Sequence, residues 1–273
     1  MPTLHFLAKE ITLNGHLQSL GGIGIVYMTT RALSLPWSID MLLAVYLILQ
    51  IIYFFDRYID LARDWTGNNT RSGHIASYRP AVPLVATGYS VAAAFILLLY
   101  SALEGIIFSA VAILFGLLYP RVFKPFTKYI PLFKNFYVSA TFTVLLFFPF
   151  FYTGTTIIMS RELFVLGCFI FISALTAQFL LDLKDTLSDK EAGLKTIPAL
   201  LGEHRALIFS VAFSVFAATA FVLFARNTFL SFLTLGALGA DVFAGMLIRK
   251  KDANGYIVAA AKFFLLGLLA LAL

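Results

Sequence analysis

Cysteine is almost missing from this chain: Cys168 is the single one among 273 residues. That excludes an intrachain disulfide framework and a multi-cysteine zinc site. Charge is scarce as well. Asp, Glu, Lys and Arg make up 12% of the sequence, against roughly a quarter in an ordinary soluble domain. No low-complexity segment or soluble appendage stands out, and no internal repeat of about 20–50 residues marks a solenoid. The four histidines, His5, His16, His74 and His204, are scattered and make no metal-ligand spacing.

What is present is apolar. Sixty per cent of the residues are hydrophobic, 29 of them Phe, and mean hydropathy is +0.91. This is more apolar surface than one soluble core would bury, so a polytopic membrane protein is expected. The net charge of +6 then points to positive-inside loops and anionic ligands, with membrane lipid as surroundings and no nucleic acid. The first 18 residues carry Lys9, Glu10 and two histidines before any long apolar run, unlike a cleaved signal peptide.

At about 17–25 apolar residues per span, nine spans are expected, at 17–33, 39–64, 83–103, 105–119, 135–152, 163–183, 205–224, 229–247 and 256–273. The expected fold class is all-α: a single domain over 1–273, nine transmembrane helices bundled around a cytoplasm-facing cavity. Gly21, Gly22 and Gly24 in the first span suit close helix packing. A polar segment at 65–79 follows the second span, with turns read at Gly67 to Asn69 and at Ser72–Gly73, and a turn around Glu104 parts the third span from the fourth.

Loop charge sets the orientation. Arg57, Arg63, Arg71 and Arg79 stand at and beyond the end of span two, Arg121, Lys124, Lys128 and Lys134 fill 120–134, and Lys184, Lys190, Lys195 and Arg205 follow span six. Arg249, Lys250 and Lys251 follow span eight, whereas the other side holds Arg31, Arg161 and Arg226. The basic loops are therefore expected in the cytoplasm, with the N-terminus inside and the C-terminus outside.

Two acidic clusters lie on that basic side. Asp182, Asp185 and Asp189 stand at i, i+3 and i+7 at the end of span six, one face of a continuing helix. Asp56, Asp60 and Asp64 recur at i, i+4 and i+8 at the end of span two. Facing carboxylate clusters suit Mg2+ shared with substrate phosphate oxygens, and the basic loops suit the remaining charge of a diphosphate. Inside the membrane, Asp241 and Lys262 lie nine and eight residues from the turn at 250–254. Equal depth predicts an ion pair that locks the last two spans.

The stretch from Lys184 through Asp185, Asp189, Lys195, Thr196, Ile197 and Pro198 to Gly202 resembles the second acidic motif of the UbiA-type intramembrane prenyltransferases. Asp56-Arg57-Tyr58-Ile59-Asp60 is similar to the later half of that family's first motif, although Ile52-Tyr53 stand where its Asn-Asp pair is usual and Ser188 replaces a Gly. A second alignment puts Asp56 in the Asn position, followed by Asp60 and Asp64. Tyr119 to Lys124 and Lys134-Asn135 resemble the family's Tyr-to-Lys loop and Lys-Asn start of the fifth helix.

The resemblance implies Mg2+-dependent transfer of a prenyl group from a prenyl diphosphate to a hydrophobic acceptor. Asp56, Asp60, Asp185 and Asp189 would hold the metal–diphosphate, supported by Asp182. Lys124 and Lys195 are implied as diphosphate contacts, with Arg71, Tyr119 and Asn135 beside them. A terpene cyclase of the same fold, or a non-catalytic lipid-binding or transport protein, are the other readings. A transporter would show broken helices at the midplane and an internal repeat, which the sequence lacks.

Overall fold

The computed structural model of the chain describes residues 2–59, 61, 69–225 and 227–273. They are all-helical, with no strand among them. An amphipathic α1 (Pro2–Leu13) precedes α2 (His16–Ala32) and α3 (Ile39–Ile59). A short α4 (Asn69–Ala76) leads to α5 (Val82–Tyr100) and α6 (Leu103–Leu118). Next come α7 (Phe133–Val144), α8 (Phe148–Thr153), α9 (Arg161–Asp182), α10 (Thr186–Glu191) and α11 (Ile197–Leu201). Three long helices close the chain: α12 (Glu203–Ala225), α13 (Thr228–Arg249) and α14 (Asn254–Ala272).

Eight helical stretches are long and apolar enough to cross a membrane. The expected first span is α2, whose 17 residues make about 25 Å at 1.5 Å per residue. Large apolar side chains on the outer faces stay exposed, among them Leu98 at 71% and Phe224 at 77%. A bilayer, and not water, is the solvent such a surface suits.

The helices form a closed ring. α2 packs on α3 and α14, α14 on α13, α13 on α12, α12 on α9 and α9 on α7; α6 then bridges α8 to α3, and α5 lies outside against α3. α2 and α14 meet where glycine permits it. A Cβ on Gly24 would sit 2.0 Å from the Phe263 carbonyl oxygen, and one on Gly267 would sit 2.7 Å from the Gly24 Cα. The core below is aliphatic and aromatic, with Ile25, Met28, Ile48, Phe148, Phe169 and Ile170 buried. On the side opposite the acidic motifs, Tyr152 donates to Asp40 Oδ2 at 2.6 Å and ties α8 to the start of α3.

Three expectations need correction. Ser72–Gly73 does not turn: it lies inside α4, where Ile75 packs with Phe54 and Val82. The break between α5 and α6 falls at Ser101 and Ala102, while Glu104 sits in the first turn of α6, where a carboxylate favours the positive end of the helix dipole. The stretch after Asp182 is not a continuing helix: it tightens into a 3-10 turn over Leu183–Asp185 before α10 begins. The second span is described as helix to Ile59; its expected continuation through Asp64 lies outside the described residues apart from residue 61.

Asp241 and Lys262 meet as expected. Lys262 Nζ donates to Asp241 Oδ1 at 2.7 Å and to Thr176 Oγ1 at 2.7 Å.

Candidate functional site

The second acidic motif is built around a lysine. Lys134 Nζ lies 3.0 Å from Asp182 Oδ1 and 2.8 Å from Asp189 Oδ2. The next residue, Asn135, donates from Nδ2 to Asp182 Oδ2 at 2.7 Å. All four side chains are buried. A 3-10 turn followed by a fresh helix brings Asp182 and Asp189 to one ammonium. Unpaired buried carboxylates at this separation would repel strongly, and the lysine removes that cost.

Two loops fix the lysine. The Lys195 amide donates to the Thr127 carbonyl at 3.1 Å, and the Leu132 amide donates to the Lys195 carbonyl at 3.0 Å. Thr127 Oγ1 accepts from the Lys134 amide at 3.0 Å. The segment after the second acidic motif and the basic loop before α7 are thereby stitched backbone to backbone. Leu132, which precedes α7, has φ of 62°, and the chain turns sharply there into the helix that carries Lys134.

Asp185 and Tyr119 lie close enough to act on the Lys134 charge. Tyr119 stacks on Tyr137 of α7 with centroids 5.1 Å apart. Lys124 is half-buried in the 3-10 turn Lys124–Lys128, and Lys195 is exposed ahead of α11. Asp56 is half-buried in the last turn of α3, with Arg57 Nη1 3.9 Å from its Oδ2. Asp60 lies outside the described residues, as does the side chain of Arg71.

The Asn-Asp pair of the first motif is replaced by packing. Ile52 fills the gap over Gly116 of α6, and Tyr53 covers Gly15 between α1 and α2. Neither side chain supplies a metal ligand.

Lys134 was missed as a site residue in the sequence. It reads there as one more cation of a basic loop, because Asp182 and Asp189 lie 48 and 55 positions further on. Its place beside Asn135 at the start of a helix was the available signal. Among the described residues no group of three or more His, Cys, Asp or Glu side chains converges tightly enough to enclose a metal ion. The donors present are hard oxygens, the carboxylates of Asp182 and Asp189 gathered at Lys134. That set fits Mg2+, which is commonly held by one or two carboxylates completed by waters and substrate phosphate.

A sequence profile of the UbiA prenyltransferase family matches residues 19–269. No curated protein sequence matches. Among solved structures, the apo UbiA homolog from Aeropyrum pernix K1 superposes with a TM-score of 0.70 at 16% identity, covering 93% of this chain and 98% of that one. The UbiA homolog from Archaeoglobus fulgidus bound to GPP and Mg2+ gives 0.62 at 13% identity, covering 97% and 100%. The same homolog bound to DMAPP and Mg2+ gives 0.59 at 15%, covering 97% and 99%.

Proposed function

The chain belongs to the UbiA prenyltransferase family, and from that premise we propose that it transfers a prenyl group from a prenyl diphosphate to a hydrophobic acceptor in the membrane, with Mg2+. The observation that carries the reading is the Lys134 ammonium seated between Asp182 and Asp189 at the inner end of an apolar helix. It holds a dense anionic cluster together at the end of an apolar span, where a divalent ion and its diphosphate would bind. The two Archaeoglobus fulgidus complexes hold a prenyl diphosphate and Mg2+ on the same fold.

Asp56, Asp60, Asp185 and Asp189 are the residues that would hold the metal, with Asp182 positioned behind them by Lys134 and Asn135. When bound, Mg2+ neutralises the diphosphate and so makes it a better leaving group. Lys124, Lys195 and Arg71 bring further positive charge to the same leaving group. The allylic C–O bond breaks with its electron pair going to diphosphate, and an electron pair of the acceptor forms the new bond to carbon as the acceptor loses a proton. The apolar helices keep the reacting carbon away from bulk water.

The excess of Lys and Arg in the loops on this side supports a cytoplasmic site, with the N-terminus inside and the C-terminus outside. The test is incubation of the purified protein with labelled prenyl diphosphates and Mg2+, with and without candidate acceptors. Diphosphate release that is lost in D185A and in D56A is the expected result. Unchanged release in both variants defeats the reading.

A further inference from the structure

One face of α7 carries two buried polar atoms without a hydrogen-bond partner among the described residues: Asn135 Oδ1 and Ser139 Oγ. Both residues are 0% exposed. Four positions apart, they stand one above the other on the helix, about 6 Å between Cβ atoms. The Asn135 amide nitrogen is committed to Asp182 at 2.7 Å, so Oδ1 is the end left over.

Ser139 lacks a bond that four other hydroxyls of the spanning helices make. Ser109, Thr143, Ser210 and Thr234 each donate to the carbonyl four residues earlier, at 2.6 to 2.8 Å. That internal bond is how a helix hydroxyl is satisfied away from water. Ser139 makes no such bond. A buried polar group left unpaired is costly, and two on one helix face mark a place that a ligand completes.

The chemistry of the two atoms narrows the ligand. An amide oxygen accepts hydrogen bonds and cannot donate, so an ionised phosphate oxygen gains nothing from Asn135 Oδ1. A serine hydroxyl both donates and accepts. A single ligand hydroxyl answers both, donating to Asn135 and accepting from Ser139. The surroundings are layered to match. Above lies the ionic cluster of Lys134, Asp182 and Asp189; one turn below, Phe142 stacks on Phe263 of α14 with centroids 5.9 Å apart.

We propose that Asn135 Oδ1 and Ser139 Oγ form the subsite that seats the hydroxyl group of the acceptor, an amphiphilic phenol or alcohol whose body lies among apolar side chains. The proposal rests on the prenyl-transfer reading, with the diphosphate held by the ionic layer next to the subsite.

The test uses the detergent-purified full chain, dimethylallyl diphosphate with Mg2+, and two matched probe pairs: 4-octylphenol with octylbenzene, and 1-octanol with octane. Donor affinity is measured first, without any probe. Then the shift in unfolding temperature and the rate of diphosphate release are recorded against probe concentration. The hydroxylated member of at least one pair is expected to raise both in the wild type, and its deoxy partner neither. S139A is expected to keep the donor Kd within about twofold and to weaken half-saturation by that probe about tenfold, the loss of one hydrogen bond to a buried group.

No hydroxyl-dependent response in the wild type, or an equal response in S139A, overturns the proposal. So does a Mn2+ affinity that changes in S139A while the probe response does not, because the two atoms then serve the metal. Failure of the wild type to bind the donor defeats the prenyl-transfer reading instead, before any probe is added.

Discussion

Lys262 and Asp241 meet with 2.7 Å between Nζ and Oδ1, and both are buried between the last two helices. The pair reaches further than its own hairpin. Asp241 Oδ2 accepts from Thr176 of α9 at 2.8 Å and from Ser214 of α12 at 3.0 Å, so one carboxylate links four helices. Removing one charge strands the other in an apolar interior, which costs about 3–5 kcal/mol. K262M alone should therefore unfold at much lower temperature in detergent. The double variant D241L/K262M should regain most of the loss, because hydrophobic replacement of a whole buried pair is often neutral. Along α9, Thr176 is six residues from Asp182, about 9 Å at 1.5 Å per residue, so donor Kd should be unchanged in the double variant. A double variant no more stable than K262M would show that the pair does more than compensate charge.

Lys134 makes the opposite kind of prediction. It already neutralises Asp182 and Asp189, so it competes with a divalent ion for them. K134M should bind Mn2+ more tightly in the absence of donor, by about tenfold for every 1.4 kcal/mol of repulsion removed. Diphosphate release should fall by roughly two orders of magnitude, the scale of losing one preorganised electrostatic group, because Asp182 and Asp189 lose the cation that holds them in place. Spin-resonance titration of Mn2+ and a turnover assay read the two effects separately. Weaker Mn2+ binding in K134M would mean that the lysine positions the carboxylates for metal and does not compete with it.

The long helices were legible because their signal is local. The seventh expected span, 205–224, is observed as Glu203–Ala225, and the charge of Asp241 called for the partner it has in Lys262. Position 182–189 was legible in composition but not in shape. Spacing alone cannot show that the chain tightens after Asp182, nor that Asp182 and Asp189 there share a lysine of α7, 48 residues before Asp182. The packing of Ile52 on Gly116 and Tyr53 on Gly15 was hidden for the same reason: each needs a distant glycine. Ser139 is an ordinary helix serine in sequence, and only its missing backbone bond sets it apart.

The amino-terminal helix is held by a carboxylate with four donors. Glu10 Oε2 lies 2.8 Å from His74 Nε2 and accepts from Tyr78 at 3.1 Å, while Oε1 accepts from Asn14 at 2.6 Å and lies 3.4 Å from His16 Nε2. Burial alone pushes this carboxyl up, but the bonds from His16, Asn14, His74 and Tyr78 outweigh it and hold the pKa at about 2, below the usual 4.5. A depressed carboxylate stabilises the fold above its unfolded pKa, and that contribution is lost as pH falls through the folded one. The difference in stability between wild type and E10Q should therefore be constant above about pH 4.5 and shrink from there toward pH 2. Acid unfolding of both proteins, followed by near-ultraviolet circular dichroism, gives that difference directly. A gap that does not narrow in this window would show that Glu10 is not held ionised by the network.

Gly24 tests whether the ring is closed as described. A methyl there would lie 2.0 Å from the Phe263 carbonyl oxygen and 2.7 Å from its carbon. Both are backbone atoms of α14, so no side-chain rotation relieves the clash and the helices must separate. G24A should cost about 1–3 kcal/mol, the usual penalty of overpacking, and G24V more. Gly239 in α13 is the matched control, because a Cβ there meets nothing within 4 Å. G239A should be neutral or stabilising by up to about 1 kcal/mol, through the higher helix propensity of alanine. Thermal unfolding in one detergent compares the pair under the same conditions. Opposite signs at the two glycines require a tight α2–α14 crossing, whereas equal tolerance would mean that α2 and α14 do not touch there.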